Sequence, residues 1–188
     1  SLLAARFLAD YSRVAGNDRE IIELLPRLLR FAVRTQRRDG SWPYGLASNQ
    51  SWVDSFHTGY NLCAIENILS SISDDQAEKA LSAGCVFYEK HFFDDHGMAF
   101  YYADRTWPVD IHSVAQAIIT LNRLRQRFER GEDLKRKIIE WTMEKMWDGR
   151  REVYAFQCHR FYTNRVDYNR WAQAWMHYAN AVEIAYAH

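Results

Sequence analysis

Apolar positions recur at intervals of three and four along most of the chain, in two alternating styles. In "ELLPRLLRFAVRTQ" Leu24, Leu25, Leu28, Leu29 and Ala32 fall on one side and arginines on the other. "DDQAEKALSAGCVFYEKHF" repeats the pattern with Ala77, Leu81, Gly84, Cys85 and Tyr88, and "EDLKRKIIEWTMEKMW" with Leu134, Ile138 and Trp141. Such stripes predict amphipathic helices lying half in water. Between them run segments almost free of charge: "SFHTGYNLCAI", "IHSVAQAIITLN" and "WAQAWMHYANAV". Few of their positions tolerate water, so they predict helices flanked by protein on most sides. The opening "SLLAARFLADYSRVAG" predicts one more helix of the enclosed kind, which makes seven. Pro26 either opens its helix or kinks it.

The alternation is periodic. Val-Asp pairs stand at 53–54, 109–110 and 166–167, intervals of 56 and 57 residues, each after an aromatic turn segment opened by Gly40, Gly97 or Gly149. A fixed period marks a repeated supersecondary unit. Register persists inside the uncharged runs: His57 and Asn61 are four apart, as are His112 and Gln116, and Trp171 and Trp175.

Half-exposed helices alternating with enclosed ones describe outer helices ringing inner ones. The predicted fold is all-α: α/α-hairpin repeats forming a partial toroid, one domain over 1–188 with repeat units at about 20–73, 74–131 and 132–188. A closed six-hairpin ring has more helices than this. The chain is therefore expected to be the C-terminal part of a larger toroid, or an arc completed by another chain. Links into the enclosed helices are long and aromatic, about 15 residues each, and loops of that length tend to be functional. Return links, around "SSISDD" and "RGED", are short. All the long loops must then gather at one end. "MAFYY" and "RTW" around Ala103-Asp104, and "VYAF" and "FYT" around Cys158-His159, predict short β-ribbons there. Asp54, Asp110 and Asp167 stand where helix N-caps belong.

Composition narrows the partners. Lys+Arg and Asp+Glu balance at 24 each, so nothing favours nucleic acid or an anionic membrane. No apolar run approaches the roughly 20 residues of a membrane span. A cytoplasmic location is expected; because the chain opens on Ser1 rather than Met, a preceding segment and a periplasmic location stay open. Cys63, Cys85 and Cys158 are odd in number and lack CxxC spacing, which predicts small buried hydrophobes. No metal and no cofactor are expected. His57, His112 and Cys63 are spread over two repeats without ligand spacing, and phosphate-loop and GxSxG sequences are absent. "DDQAE" superficially matches an aspartate-rich metal site, but it opens a half-exposed helix and reads as an N-cap.

His57, Asn61, His112 and Gln116 are polar side chains on otherwise apolar helices. Unpartnered and buried, each costs on the order of 1–3 kcal/mol, so they pair internally or face a wet cavity, which a toroid provides. "QRRDGSW" resembles the QW motif of terpenoid cyclases, in which Gln and Trp tie α/α hairpins together. "NQSWVDSFHTGYNLCAI", "DRTWPVDIHSVAQAIITL" and "NRWAQAWM" resemble a bacterial polysaccharide-biosynthesis family (VpsJ-like) encoded with exopolysaccharide genes. That resemblance, running from about residue 36 to the C-terminus, implies the α/α-toroid architecture of six-hairpin glycosidases and terpenoid cyclases. It also implies an association with surface-polysaccharide production, and it assigns no catalytic residue.

Sugar chemistry suits an aromatic rim. Trp42, Tyr44, Trp52, Tyr101, Tyr102, Trp107, Tyr154, Tyr162 and Trp171 offer flat apolar faces, with Trp42 expected to wedge and Tyr44 to meet a ligand. A glycosidase needs two carboxylates across a cleft, and no pair stands out among Asp39, Asp104 and Glu152. A uronate lyase or epimerase needs a base, a proton donor and a cation for the sugar carboxylate. In that mechanism His57 or His112 moves a proton, Tyr60 assists, and Arg105 or Arg170 with Asn61 binds the acidic group. Gln116 matches Asn61 in the next repeat. The expected function is a carbohydrate-active or carbohydrate-binding role on an acidic oligosaccharide or polysaccharide in exopolysaccharide biosynthesis. The alternatives are a non-catalytic glycan-binding or scaffold module and, more weakly, a terpenoid-cyclase-like enzyme.

Overall fold

The computed structural model describes residues 2–16 and 18–186. Seven α-helices appear among them: α1 (Leu2–Val14), α2 (Arg19–Thr35), α3 (Ser55–Leu69), α4 (Asp75–His91), α5 (Ile111–Arg123), α6 (Gly131–Lys145) and α7 (Ala174–Tyr186). The predicted first helix is α1, with Ser1 outside the described residues. The odd-numbered helices form an inner row, α1 on α3, α3 on α5, α5 on α7. The even-numbered helices pack outside them as hairpin partners, and α2 also touches α4. The architecture is an arc of α/α hairpins.

The two sequence styles sort accordingly. Every residue of α5 from Ile111 to Asn122 is buried, whereas α2 buries only Leu25, Leu29 and Ala32. Pro26 neither opens α2 nor ends it. The helix starts earlier, where the Asp18 carboxylate accepts the N–H groups of Glu20 and Ile21, and Pro26 lies inside. Asp74 caps α4 in the same way through Gln76 and Ala77, which accounts for "DDQAE".

Gln36 and Trp42 join the first hairpin to the second. The Gln36 amide donates to the carbonyls of Gly40 and Ala80, at 3.0 and 2.8 Å. The Trp42 indole donates to Ala32 O at 2.9 Å, and its ring lies where a side chain at Gly84 would be. Gly40 and Gly97 hold left-handed φ values of 91° and 88°. A Cβ at either would fall 2.4 Å from Ala83 O or 2.3 Å from Lys137 backbone atoms. Gly149, their counterpart in the third repeat, meets no such contact.

The three long loops lie side by side at the inner-helix N-termini. Ser55 N–H donates to Tyr101 O and Ala103 N–H to Val53 O, so the first loop is tied to the second. The second is tied to the third by β1 (Val109–Asp110). In the third loop β2 (Trp147–Asp148) pairs with β3 (Val153–Tyr154), and β4 (Gln157–Cys158) pairs with both β1 and β5 (Thr163–Asn164). The Ala103-Asp104 ribbon is one bridge, Tyr102 to Arg105. The Cys158-His159 ribbon differs from expectation: "VY" turns back on "WD" through Glu152, which holds a φ of 53°, and "QC" pairs with "TN" instead. Asp167 is not a cap. Its carboxylate takes Arg151 at 2.7 Å, and the last inner helix starts two residues later as a π-helical turn at Asn169–Gln173. Among the described residues no helix is long and apolar enough to cross a membrane.

Candidate functional site

Two buried carboxylates anchor the loop end. Asp54 and Asp110 cap α3 and α5 by accepting the N–H groups of His57 and His112, each at 2.9 Å. Asp54 does more. Both its oxygens lie 2.9 Å from His57 Nδ1, so that nitrogen donates and Nε2 is turned away from the carboxylate. The imidazole is 40% exposed while the Asp54 side chain is 1% exposed. This is an oriented, solvent-reachable histidine held by a buried acid.

His112 occupies the matching place in the next repeat and has a different environment. Its ring is stacked between Phe56 (4.7 Å between centroids) and Trp175 (4.4 Å), with Trp171 edge-on at 4.8 Å. It is 2% exposed. Burial, and secondarily the neighbouring His57, pushes its pKa down to about 4, so the ring is neutral at pH 7. Nε2 is hydrogen-bonded to the Tyr60 hydroxyl, while Nδ1 is buried without a partner among the described residues. Burial and the Asp54 carboxylate raise the Tyr60 phenol above its ordinary value, which keeps it protonated. Tyr60 stands 5.8 Å from His57, ring to ring and nearly perpendicular.

Beside His57 lies an aromatic platform. Tyr44 and Trp52 stack at 4.6 Å and 13°, clipped together by Tyr44 N–H to Trp52 O, and Tyr44 meets His57 edge-on at 4.8 Å. Both rings of the stack are exposed.

The structure thus brings together Tyr44, Trp52, His57, Tyr60, His112 and Trp171. Trp42 lies in the core, 5% exposed, because its indole locks the first hairpin. Gln116 is also buried: its amide donates to Thr120 Oγ1 at 3.0 Å and approaches Cys63 Sγ, bracing α3 against α5 rather than facing a cavity. The matched positions part because Tyr60 from α3 and Trp175 from α7, 5.6 Å apart, close over α5. Asn61 is half-buried one turn beyond His57, and Arg170 is exposed in the π-helical turn. Arg105 pairs with Asp104 and lies over the Tyr102 ring, on the second loop. Trp107 packs half-buried against the core. Sequence reasoning missed Phe56 and Trp175 as walls around His112, and it treated Asp54 as a cap alone. The Asp-x-x-His spacing at 54–57 was the available signal for the second role.

No family model matches the chain and no curated protein matches it, so the resemblance to the polysaccharide-biosynthesis family gains no support there. Solved structures do match. A cellobiose 2-epimerase from Bacillus thermoamylovorans is similar with a TM-score of 0.76 at 14% identity, over 99% of this chain and 52% of that one. An unsaturated glucuronyl hydrolase from Bacillus sp. GL1 gives 0.71 at 12% identity, over 96% and 56%. A family 76 α-mannanase from Bacteroides thetaiotaomicron gives 0.61 at 9% identity, over 98% and 58%. The chain spans about half the length of these proteins. At such identities the likeness speaks to architecture, and it agrees with the alternating helix rows: the fold is that of the α/α toroids.

Proposed function

We propose that this chain is a carbohydrate-active protein whose loop end binds an oligosaccharide on the Tyr44–Trp52 platform and presents it to His57. The observation that carries the reading is the Asp54-held imidazole beside an exposed aromatic stack. A sugar ring laid on the platform meets an oriented nitrogen able to take a proton from carbon or oxygen, with Asp54 stabilising the imidazolium that forms. Tyr60, kept protonated, supplies the complementary donor, and buried, neutral His112 positions its hydroxyl. Arg170 beside Trp171, with Asn61, is assigned to an acidic group on the glycan; Arg105 is occupied by Asp104. The reaction class is proton transfer at a sugar carbon, as an epimerase or uronate lyase performs. An epimerase, a glucuronyl hydrolase and a mannanase on the same architecture support sugar as the substrate class.

We place the protein in exopolysaccharide metabolism on the strength of the three motif segments, and in the cytoplasm, where three free cysteines are at home. The arc's outer edges carry apolar side chains, Phe7, Tyr11 and Val14 on α1 and Ile184 on α7. Further hairpins or another chain closing the ring would cover them.

The test is proton NMR of cellobiose and of unsaturated uronate disaccharides with the protein in deuterated water. Deuterium entering the sugar, or a new epimer or elimination product, supports catalysis if it vanishes in His57→Ala. A second reading, glycan binding without turnover, is favoured by the burial of His112. Saturable binding abolished by Trp52→Ala, with no product and no exchange, would establish that one.

A further inference from the structure

A second cleft, lined by neither Tyr44 nor His57, borders Trp52. It is about 270 Å³, lined by Arg37, Asp39 and Ser41 before the platform, by Ser51 and Trp52 within it, by Phe87 and His91 at the end of α4, and by Ala103 and Asp104 on the second loop. It lies towards the outer row, whereas His57 belongs to the inner one. None of the reactions considered above uses it. Its parts nonetheless have a common chemistry. Asp39 Oδ1 is engaged by the N–H and hydroxyl of Ser41, at 3.0 and 2.7 Å, which fixes the carboxylate. No protein hydrogen bond reaches Oδ2 among the described residues. The Arg37 guanidinium spends one nitrogen on Ser51 O at 2.8 Å and has others to donate. His91 is held flat against Phe87 at 4.3 Å. Two of the rim carboxylates that sequence spacing could not pair, Asp39 and Asp104, therefore line one cleft with a half-exposed tryptophan.

We propose that this cleft is a separate subsite for one neutral pyranose ring, stacked on Trp52, with sugar hydroxyls donating to Asp39 and accepting from Arg37. The assignment rests on the sugar reading of the Tyr44–His57 face and extends it to the second cleft that Trp52 borders. The volume is slightly below the ~300–1,000 Å³ of drug-sized pockets, which suits a single ring. Asp104 is paired with Arg105, so the unpaired Oδ2 of Asp39 is what disfavours a uronic acid here, in contrast to the acidic group assigned to Arg170.

The experiment is a backbone and indole ¹H–¹⁵N NMR titration with methyl β-glucoside, methyl β-mannoside, methyl β-galactoside and glucuronate. Expected are saturable shifts at Arg37, Ser51, Ala103 and the Trp52 indole with at least one neutral glycoside, and smaller ones with glucuronate. Asp39→Asn keeps an oxygen for Ser41 while replacing the unbonded acceptor by a donor. It should weaken neutral-sugar binding about tenfold or more, the size of one lost hydrogen bond to a charged group. His91→Ala should weaken it as well. Shifts confined to Tyr44 and His57, or affinity unchanged in Asp39→Asn and His91→Ala, overturn the second subsite and leave the first. No shift at either face with any sugar overturns both.

Discussion

Tyr60 on α3 and His112 on α5 are joined hydroxyl to Nε2, and this single bond links two neighbouring repeats inside an aromatic enclosure. Phe56, Trp171 and Trp175 surround the His112 ring, which is 2% exposed. Removing the hydroxyl therefore strands a buried nitrogen. Tyr60→Phe should cost about 1–3 kcal/mol in denaturant unfolding. An unfolding midpoint identical to the parent's would show that His112 has another partner.

Asp54 serves the backbone and the imidazole together, and two substitutions separate the roles. Asp54→Ala removes the cap and should cost about 1 kcal/mol or more. Asp54→Asn keeps an oxygen for the His57 N–H, so its stability should stay close to the parent's. Any proton-transfer activity should fall in both variants, because neither amide nor methyl stabilises the imidazolium. Full activity in Asp54→Asn would reduce Asp54 to a cap.

Acid dependence sets two buried groups against each other. His112 moves from an ordinary 6.5 to about 4 through burial, so the unfolded chain takes up a proton that the native ring refuses. Its contribution is fully present above pH 6.5 and is lost as pH falls towards 4. Asp110 runs the other way. Burial lifts it from 3.8 to about 6, against the hydrogen bonds from Gln157 and the His112 N–H, so the native state keeps a proton that the unfolded chain releases. Its contribution is present below pH 3.8 and is lost as pH rises through 6. Between pH 4 and 6 the two slopes oppose. Asp110→Asn, which still caps α5, should uncover the histidine slope, a loss of about 3 kcal/mol between pH 6.5 and 4. Equal slopes in parent and variant would sink this.

Glycines at matching places in the repeats should respond unequally. Gly97→Ala forces a left-handed alanine against the Lys137 backbone and should cost at least about 2 kcal/mol. Gly149→Ala, whose Cβ would meet only the Trp147 ring at 3.5 Å, an ordinary contact, should stay within about 0.5 kcal/mol. Thermal or urea melts of the two variants check the contrast.

These contrasts also show what a linear reading can reach. Helix rows were legible because one face of α2 alternates with charge while α5 carries none until Arg123. The Gln36–Trp42 tie was legible through the resemblance of "QRRDGSW" to the QW motif, and the two side chains do hold carbonyls of packed helices. Equivalence of environment was not. His57 and His112 share a register, yet one reaches solvent and the other is sealed, because what covers α5 arrives from Tyr60 and Trp175, far apart in the chain. Asp167 misled for a related reason. Val-Asp recurs, but a guanidinium at Arg151 takes the carboxylate and the helix begins later.

The enclosure of α5 has a consequence for cutting the molecule. Its covering is borrowed from both inner neighbours, and Lys135, Asn122 and Glu183 fasten it to α6 and α7 by a chain of contacts at 2.8 and 3.2 Å. A truncation that ended before α7 would bare one flank of a helix that is buried from Ile111 to Asn122, and such a piece should aggregate rather than shrink to a smaller arc. Inner helices in this array behave as keystones, so the least unit that stands by itself is set by neighbours on both sides, not by the length of one repeat.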